Sequence, residues 1–152
     1  MIQQLHVTDA PWLAALHRQA FEKPWSAVSF AEILALPTTL GWALIPETTP
    51  RPVGFILLQA QGQEGEILTF QVAADHQGRG YGRALLTQGV TVARQLNLEH
   101  LFLEVAVSRR RAQKVYQAQG FRVSRRRKNY YRGQNGPEDA LVMQLLLRAE
   151  LS

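Results

Sequence analysis

The chain has 152 residues, of which 46% are hydrophobic and 19% charged, and its formal net charge is +5 at pH 7. This size and composition are typical of a globular protein with one core, and we expect a single domain over residues 1–152. The absence of cysteine excludes disulfides, a thiolate nucleophile and a cysteine-based metal site. The opening residues lack the basic and apolar segments of a secretion signal, and no apolar run reaches the roughly 18 residues of a membrane span. We therefore expect a cytoplasmic protein without a membrane partner.

The first half of the chain predicts two helices followed by three strands. TDAPWLAALHRQAF predicts a helix with Thr8 or Asp9 as N-cap and a proline in its first turn, and IQQLHV before it is compatible with an additional strand. PWSAVSFAEILAL predicts a second helix, capped by Ser26 and ended before Pro37. The alternating or continuous apolar residues of TTLGWALIP, PVGFILLQA and GEILTFQVA predict strands.

The second half predicts two further helices and three further strands. GRALLTQGVTVARQL predicts a helix with an apolar stripe formed by Leu85, Gly89, Val92 and Leu96. HLFLEV predicts a strand in the middle of a sheet, and SRRRAQKVYQAQG a helix with Ser108 as N-cap and Gly120 after its end. FRVSRRRKNYY and DALVMQLLL predict a final pair of strands, joined through an Asn135-Gly136 turn. The whole pattern predicts a mixed α/β domain built around one sheet.

The positive charge is concentrated in one part of the chain. No Asp or Glu occurs from Val105 through Pro137, and this stretch contains ten basic residues, namely Arg109, Arg110, Arg111, Lys114, Arg122, Arg125, Arg126, Arg127, Lys128 and Arg132. Individual arginines of such a cluster can simply form a solvated face. The cluster as a whole favours an anionic partner.

Residues 75–86, DHQGRGYGRALL, carry three glycines between a predicted strand and a predicted helix. A strand that leads into a glycine loop and then a helix can bind phosphate, because the first helical N–H groups have no partner within the helix. The loop lacks the Gly-Lys-Ser/Thr of a Walker A loop, and the third glycine of a dinucleotide-binding loop would fall on Arg83. A glycine-rich turn without a ligand is the alternative.

Two segments resemble the GNAT family of N-acetyltransferases. Residues Gln77–Gly82 match the family's pyrophosphate loop, Gln/Arg-x-x-Gly-x-Gly/Ala, and a later stretch matches its pattern Ala-x-x-x-Tyr-x-x-x-Gly-Phe through Ala112, Tyr116, Gly120 and Phe121. KPWSAVSF and RRKNYYRGQNGPEDALVM resemble segments of the RimI-type branch, the ribosomal-protein N-terminal alanine acetyltransferases. The resemblance implies the GNAT fold, an α/β (α+β) arrangement of one mixed, mostly antiparallel sheet flanked by about four helices.

The resemblance also implies acetyl-CoA as co-substrate. By position, the backbone of Phe70, Gln71 and Val72 would hold the thioester and the pantetheine arm. The pyrophosphate would be held by the loop amides, which belong to Gln77, Gly78, Arg79, Gly80, Tyr81 and Gly82. RimI-type proteins usually carry an asparagine that contacts CoA where this chain has Arg109, so we assign Arg109 to CoA binding through its charge. The four scattered histidines predict no metal site.

Acetyl transfer to an amine requires a base for the amine and an acid for the departing sulfur. Glu104 is the only charged residue within LFLEV, and a carboxylate at the end of an apolar strand is costly unless it is used or hydrated. The resemblance makes Glu104 the general base and Tyr116 the general acid. An exposed Glu and a tyrosine that only packs are the alternatives. Acceptor binding is assigned to Tyr130, Tyr131, Glu138 and Asp139, for which the alternative is packing within a hairpin.

The leading hypothesis is direct acetyl transfer from acetyl-CoA to the N-terminal α-amine of a protein, a ribosomal protein beginning with alanine. One alternative is a GNAT enzyme that acetylates a small-molecule amine or a lysine side chain. Another is a non-catalytic basic module that binds CoA or RNA, and ribosomal RNA is the partner that the arginine cluster suggests. The sequence makes no prediction about the oligomeric state.

Overall fold

The structure is a computed structural model that describes residues 1–21, 23–133 and 136–147. Its described part contains a seven-stranded sheet in the order β1-β2-β3-β4-β5-β7-β6. The strands are β1 (Ile2–Gln4), β2 (Thr39–Leu44), β3 (Gly54–Gln61), β4 (Glu64–Val72), β5 (His100–Ala106), β6 (Arg122–Gly133) and β7 (Gly136–Leu146). The α-helices are α1 (Ala10–Ala20), α2 (Ala27–Leu34), α3 (Tyr81–Gln95) and α4 (Arg110–Ala118). The predicted mixed sheet and the order of its elements are confirmed, including the additional N-terminal strand.

The helix ends agree with the sequence in part. Ser26 caps α2 as predicted, because its Oγ accepts a hydrogen bond from the Ser29 N–H at 3.1 Å. Gly120 follows α4 with φ +103°, as a glycine after a helix commonly does. The prediction of Ser108 as N-cap of α4 is wrong. The N-cap is Arg109 without a side-chain cap, since the Gln113 N–H donates to the Arg109 carbonyl at 3.1 Å and the helix thus begins one residue later than predicted. The Ser108 N–H donates to Glu138 Oε1 at 2.6 Å.

Helices cover the two faces of the sheet in pairs. Helices α3 and α4 pack on one face, around a core that includes Ile56, Leu86 and Met143. Helices α1 and α2 pack on the other face, against Phe55 and Leu57. We call these the α3 face and the α1 face. The described helices include none that is long and apolar enough to cross a membrane.

The buried stripe of α3 differs from the predicted one. Its buried residues are Leu85, Leu86, Gly89, Val90 and Ala93, whereas Val92 is only partly buried. Leu96, predicted to complete the stripe, is 48% exposed. The helix ends at Gln95, so Leu96 no longer follows the helical face that meets the sheet.

The predicted turn between the last two strands lies partly outside the described residues, because Asn135 is not described.

The sheet opens between β4 and β5. These two strands are parallel and pair over three residues only, Glu64–Glu66 with His100–Phe102. Leu68 forms a bulge in β4, since Ile67 and Thr69 pair with consecutive residues of β3 and Leu68 is left out. A bulge bends its strand and increases the local twist. Beyond the paired residues, β4 continues along β3 and β5 continues along β7, and we call the space between them the β4–β5 opening.

We expect Gly54→Ala to destabilise the protein, because a Cβ there would lie 2.7 Å from the Gln71 carbonyl oxygen and 3.1 Å from Leu85 Cδ1. Forcing β3 away from β4 should lower the free energy of unfolding by about 1–3 kcal/mol in urea titrations. Gly62→Asn is the control. Gly62 has φ +62° with nothing within 4 Å of its Cβ position, and asparagine tolerates that conformation. Equal unfolding midpoints for the two variants would contradict this account of the β3–β4 contact.

Candidate active site

The glycine loop ends at the N-terminus of α3. Gly78 and Gly80 have φ values of +80° and +82°, which favour glycine strongly. Gly80 is the N-cap of α3 without a side-chain cap, and the Ala84 N–H donates to the Gly80 carbonyl at 3.0 Å. The N–H groups of the turn before Ala84 therefore have no acceptor within the helix, and they carry the positive end of the helix dipole. This arrangement fits an anion such as a pyrophosphate.

Neighbouring residues hold the loop beside β4. Gln77 Nε2 donates to the Val72 carbonyl at 3.1 Å, which ties the loop to the end of the strand. A Cβ at Gly82 would lie in van der Waals contact with Phe70 Cζ at 3.4 Å, so the first turn of α3 lies directly beside the strand. The structure thus brings together Phe70, Val72 and the predicted loop residues. Arg79 is exposed, and Tyr81 is partly buried.

The unpaired edge of β4 offers main-chain groups to an extended ligand. Beyond Glu66, β4 pairs with β3 on one side and borders the opening on the other. An unpaired strand edge presents N–H and C=O groups that can bind an extended chain. The Gln71 side chain does not take part, because it is buried and its Nε2 donates to the Leu16 carbonyl at 2.7 Å. Any contact of Gln71 with a ligand in the opening would therefore involve its backbone, as the sequence predicts.

Glu104 and Tyr116 border the opening from opposite faces. Glu104 lies in β5 between Leu103 and Val105, which point into the core of the α3 face. Because side chains alternate along a strand, Glu104 points to the other face. Tyr116 of α4 is buried on the α3 face, with its ring centroid 5.9 Å from that of Phe70.

Burial keeps two tyrosines protonated near the opening. Burial raises the pKa of Tyr116 to about 12, against the opposing effect of the Arg109 charge. Burial also raises the pKa of Tyr131 to about 12, and the negative charge of Glu104 acts in the same direction. Both hydroxyls are therefore proton donors at neutral pH. The charge of Arg109 thus acts on both tyrosines, and the charge of Glu104 acts on Tyr131. All four are predicted site residues.

A groove on the sheet face opposite α3 contains Glu104 and a second carboxylate that sequence reasoning missed. The groove has a volume of about 460 Å³ and its lining includes Glu64, Glu66 and Glu104. Glu66 is opposite Phe102 in the parallel β4–β5 pairing, and burial together with the charge of Glu104 raises its pKa. The period-2 pattern of GEILTF places Glu66 on one face of its strand. Only the pairing of β4 with β5 reveals that this face is shared with Glu104.

Glu104 has a cationic neighbour. Arg127 Nη1 donates to Glu104 Oε1 at 2.6 Å, and this hydrogen bond is the main cause of the raised pKa of Arg127. The same guanidinium lies over the ring of Tyr130, 3.8 Å from its centroid. The Tyr130 ring in turn meets that of Tyr131 edge-on at 5.0 Å. Side chains of β6 therefore lie beside Glu104 on the β5 side of the opening.

The two other predicted acceptor-binding residues are engaged within the protein. Glu138 accepts the Ser108 N–H described above. Asp139 accepts from the Asn129 N–H at 2.9 Å and from Arg126 Nε at 2.5 Å, and these bonds lower its pKa. Packing within the strand pair accounts for these contacts. A role of Glu138 and Asp139 in acceptor binding stays a prediction.

The structure divides the basic cluster into separate groups. Arg109 lies with its Cζ 5.1 Å above the centroid of Phe21, at the end of α1. Arg111, a member of the basic cluster named from the sequence, has Nη2 3.7 Å from the Cβ position of Gly78 in the glycine loop. Arg122, Arg125 and Lys128 are exposed on β6, an edge strand of the sheet. A contact with RNA stays a prediction, because basic residues on an edge strand also discourage pairing with other chains.

Among the described residues, no group of three His, Cys, Asp or Glu side chains is placed to hold a metal ion. His17 is buried, and burial lowers its pKa to about 4, so its imidazole is neutral at physiological pH.

Comparisons with known proteins agree with this geometry. Residues 11–121 match the model of the acetyltransferase (GNAT) family. The ribosomal protein bS18-alanine N-acetyltransferase of Escherichia coli K12 is 31% identical over 144 residues, which cover 95% of each chain. The crystal structure of the ribosomal-protein-S18-alanine N-acetyltransferase from Escherichia coli superposes with a TM-score of 0.92 at 29% identity, covering 100% of this chain and 96% of that one. Arabidopsis thaliana NAA60 in complex with acetyl-CoA shares the fold, with a TM-score of 0.85 at 17% identity over 97% of this chain and 98% of that one.

The family match extends over most of the chain, and it includes the glycine loop, the β4–β5 opening and Tyr116. The similarity to the Escherichia coli relative extends further, over nearly the whole length of both proteins. This chain therefore belongs to the GNAT family and is an acetyl-CoA-dependent N-acetyltransferase.

Proposed function

We propose that this chain acetylates the N-terminal α-amine of a protein, and that its acceptor is a ribosomal protein with alanine as first residue. The observation that carries the proposal is the extent of the similarity to the bS18-alanine N-acetyltransferase, which covers 95% of each chain. It includes β6 and β7, outside the family match, which border the acceptor side of the opening. Similarity restricted to the donor-binding loop would support only the use of acetyl-CoA.

The donor side of the site fits acetyl-CoA. The pyrophosphate would be bound by the N–H groups at the start of α3, with Gly78 and Gly80 allowing close approach. Arg111 lies beside this loop and would add positive charge. The pantetheine arm would lie along the unpaired edge of β4. Acetyl-CoA supplies the thioester whose acetyl group is transferred.

Glu104 serves as general base in this proposal. A free α-amine has a pKa of about 8, against about 10.4 for a lysine side chain, so a modest base suffices to produce the neutral amine near pH 7. The carboxylate of Glu104 lies in the groove on the face opposite α3 and can accept this proton through a water molecule. An acceptor that enters from the α1 face would pass this carboxylate first.

Tyr116 serves as general acid. As the amine nitrogen bonds to the carbonyl carbon, the carbon–sulfur bond breaks and the sulfur takes the proton of the Tyr116 hydroxyl. Glu104 passes the first ammonium proton to solvent before the attack, the second proton of the nitrogen leaves through Glu104 as the amide forms, and solvent returns a proton to Tyr116. The buried hydroxyl, with its pKa of about 12, is fully protonated before this step. The transfer is direct, so the chain needs no nucleophilic side chain.

The acceptor class can be tested with a peptide panel. The purified protein is incubated with acetyl-CoA and peptides that vary in their first residue, and acetylation is measured by mass spectrometry. We expect acetylation of the α-amine and preference for alanine in first position. Peptides with a blocked N-terminus and a free lysine are the control. Acetylation of those peptides alone would contradict the proposed acceptor.

The role of Glu104 predicts a pH-dependent defect. Glu104→Gln should lower turnover at neutral pH by about 10²-fold, and much of this loss should be recovered at high pH, where the amine deprotonates without help. The acetyl-CoA KM should hardly change. Arg127→Gln is the matched control, since it removes the same ion pair but keeps the carboxylate. A pH–rate profile of Glu104→Gln parallel to that of the parent would remove Glu104 from the mechanism.

The position of Arg111 predicts a salt-dependent contribution to donor binding. Arg111→Gln should raise the acetyl-CoA KM several-fold at low ionic strength, and the difference should shrink as salt screens the charge. Arg110→Gln makes the same change of charge at the preceding exposed position, and we expect a smaller effect. Equal KM values for the two variants across a salt series would show that Arg111 contributes only to the general field of the protein.

A further inference from the structure

His17 is a buried side chain that the proposed chemistry does not use. It lies in α1, is 3% exposed, and both of its ring nitrogens have partners. Its Nδ1 accepts the backbone N–H of Trp25 at 2.9 Å, and its Nε2 lies 3.1 Å from Thr69 Oγ1. Because Nδ1 is an acceptor, the hydrogen of the neutral ring is on Nε2, which donates to the Thr69 hydroxyl.

Aromatic rings fix the imidazole in this position. The Phe21 ring stacks on it with a centroid distance of 4.1 Å and an interplanar angle of 23°. The Phe30 ring meets it edge-on at 5.3 Å, and Trp25 lies at 5.6 Å. This surrounding disfavours the imidazolium form. A neutral ring is the only form whose Nδ1 can accept the Trp25 N–H.

The two bonds of His17 join parts of the chain that border the β4–β5 opening. Trp25 belongs to the connection between α1 and α2, which we call the α1–α2 segment and describe for Phe21 and residues 23–26. Thr69 follows the bulge of β4 and precedes Phe70, whose ring contacts Tyr116. The same segment reaches α4 through the contact of Phe21 with Arg109. The α1–α2 segment is thus attached to both sides of the opening.

The arrangement of the two faces indicates what this segment does. The glycine loop and α3 lie on the α3 face, where the donor phosphates would bind, whereas α1 and α2 pack on the α1 face. In the proposed function, an acceptor that meets the thioester within the opening must enter from the α1 face. The α1–α2 segment would then form part of the wall along which the acceptor lies.

We propose that His17 is a positioning residue that fixes the α1–α2 segment against β4 and thereby sets the affinity for the acceptor. This inference rests on the proposed function for the direction from which the acceptor enters. Its bond to Trp25 holds the segment, and its bond to Thr69 fixes the ring on the strand. The donor would bind the glycine loop and the edge of β4, so loss of the Trp25 bond alone, with the Thr69 bond kept, should affect only the acceptor.

Two substitutions separate the two bonds. His17→Asn places Oδ1 near the position of Nδ1, so it keeps an acceptor for the Trp25 N–H and loses the bond to Thr69. His17→Gln places its amide nitrogen near the position of Nε2, so it keeps a donor for Thr69 and leaves the Trp25 N–H without an acceptor. Both remove the aromatic ring, so differences between them report on the hydrogen bonds.

We expect His17→Gln to raise the acceptor KM about tenfold, which is the size of effect expected from one lost hydrogen bond. The acetyl-CoA KM should stay within about twofold of the parent value. His17→Asn should recover much of the acceptor KM. Phe30→Leu, which loosens the same aromatic cluster without removing either bond, is the control for general destabilisation. The melting temperature of each variant is measured in parallel.

Three results would overturn the inference: an unchanged acceptor KM in His17→Gln, equal defects in the Asn and Gln variants, or a rise in both KM values that Phe30→Leu reproduces at equal melting temperature. The series is run with whichever amine the parent protein acetylates. If the parent acetylates only blocked lysine peptides, the proposed acceptor is wrong. The KM pattern of the variants on those peptides still decides the role of His17.

Discussion

The separation of β4 from β5 is the constraint on which the rest of the structure depends. Two parallel strands that pair over three residues and then diverge leave one strand edge without hydrogen-bond partners in the middle of a sheet. The bulge at Leu68 bends β4 at this point, and the remaining bonds to β3 and β7 keep both strands ordered. Main-chain groups on such an edge need water, another chain or a ligand as hydrogen-bond partner. In the proposed function this edge binds the donor, and the helix that follows β4 places its N-terminus beside it.

The charges of the site follow from the same separation. Anions are favoured at the start of α3 by its dipole and by Arg111, whereas carboxylates line the groove on the opposite face, where burial and the charge of Glu104 raise the pKa of Glu66. In the proposed function, the positive charge at the start of α3 suits the anionic cofactor, and the carboxylates of the groove suit a cationic amine. The net charge of +5 hides this division, because half of the arginines lie in α4 and the edge strand β6.

The sequence predicted the elements and their order because each has a strong local signal, such as the Ser26 cap of α2 or the glycine after α4. The glycine loop and Tyr116 were found because each belongs to a motif whose residues lie close together in the sequence. The importance of Glu66 and His17 could not be predicted in this way, since each acquires its neighbours only through packing between distant segments. The cap at Ser108 was predicted wrongly because a serine favours the N-cap position, whereas the first hydrogen bond of α4 goes to the Arg109 carbonyl, one residue later. The prediction that Leu96 completes the buried stripe of α3 was wrong, because periodicity does not reveal where a helix ends.

The central claim of this account is that donor and acceptor occupy the opening together and that the acetyl group passes directly between them. Initial rates measured over a grid of acetyl-CoA and acceptor concentrations test it most directly. Lines that intersect in double-reciprocal plots are predicted, because both substrates must be bound before transfer. Parallel lines, with an acetylated form of the protein detected by mass spectrometry when acetyl-CoA alone is added, would contradict it.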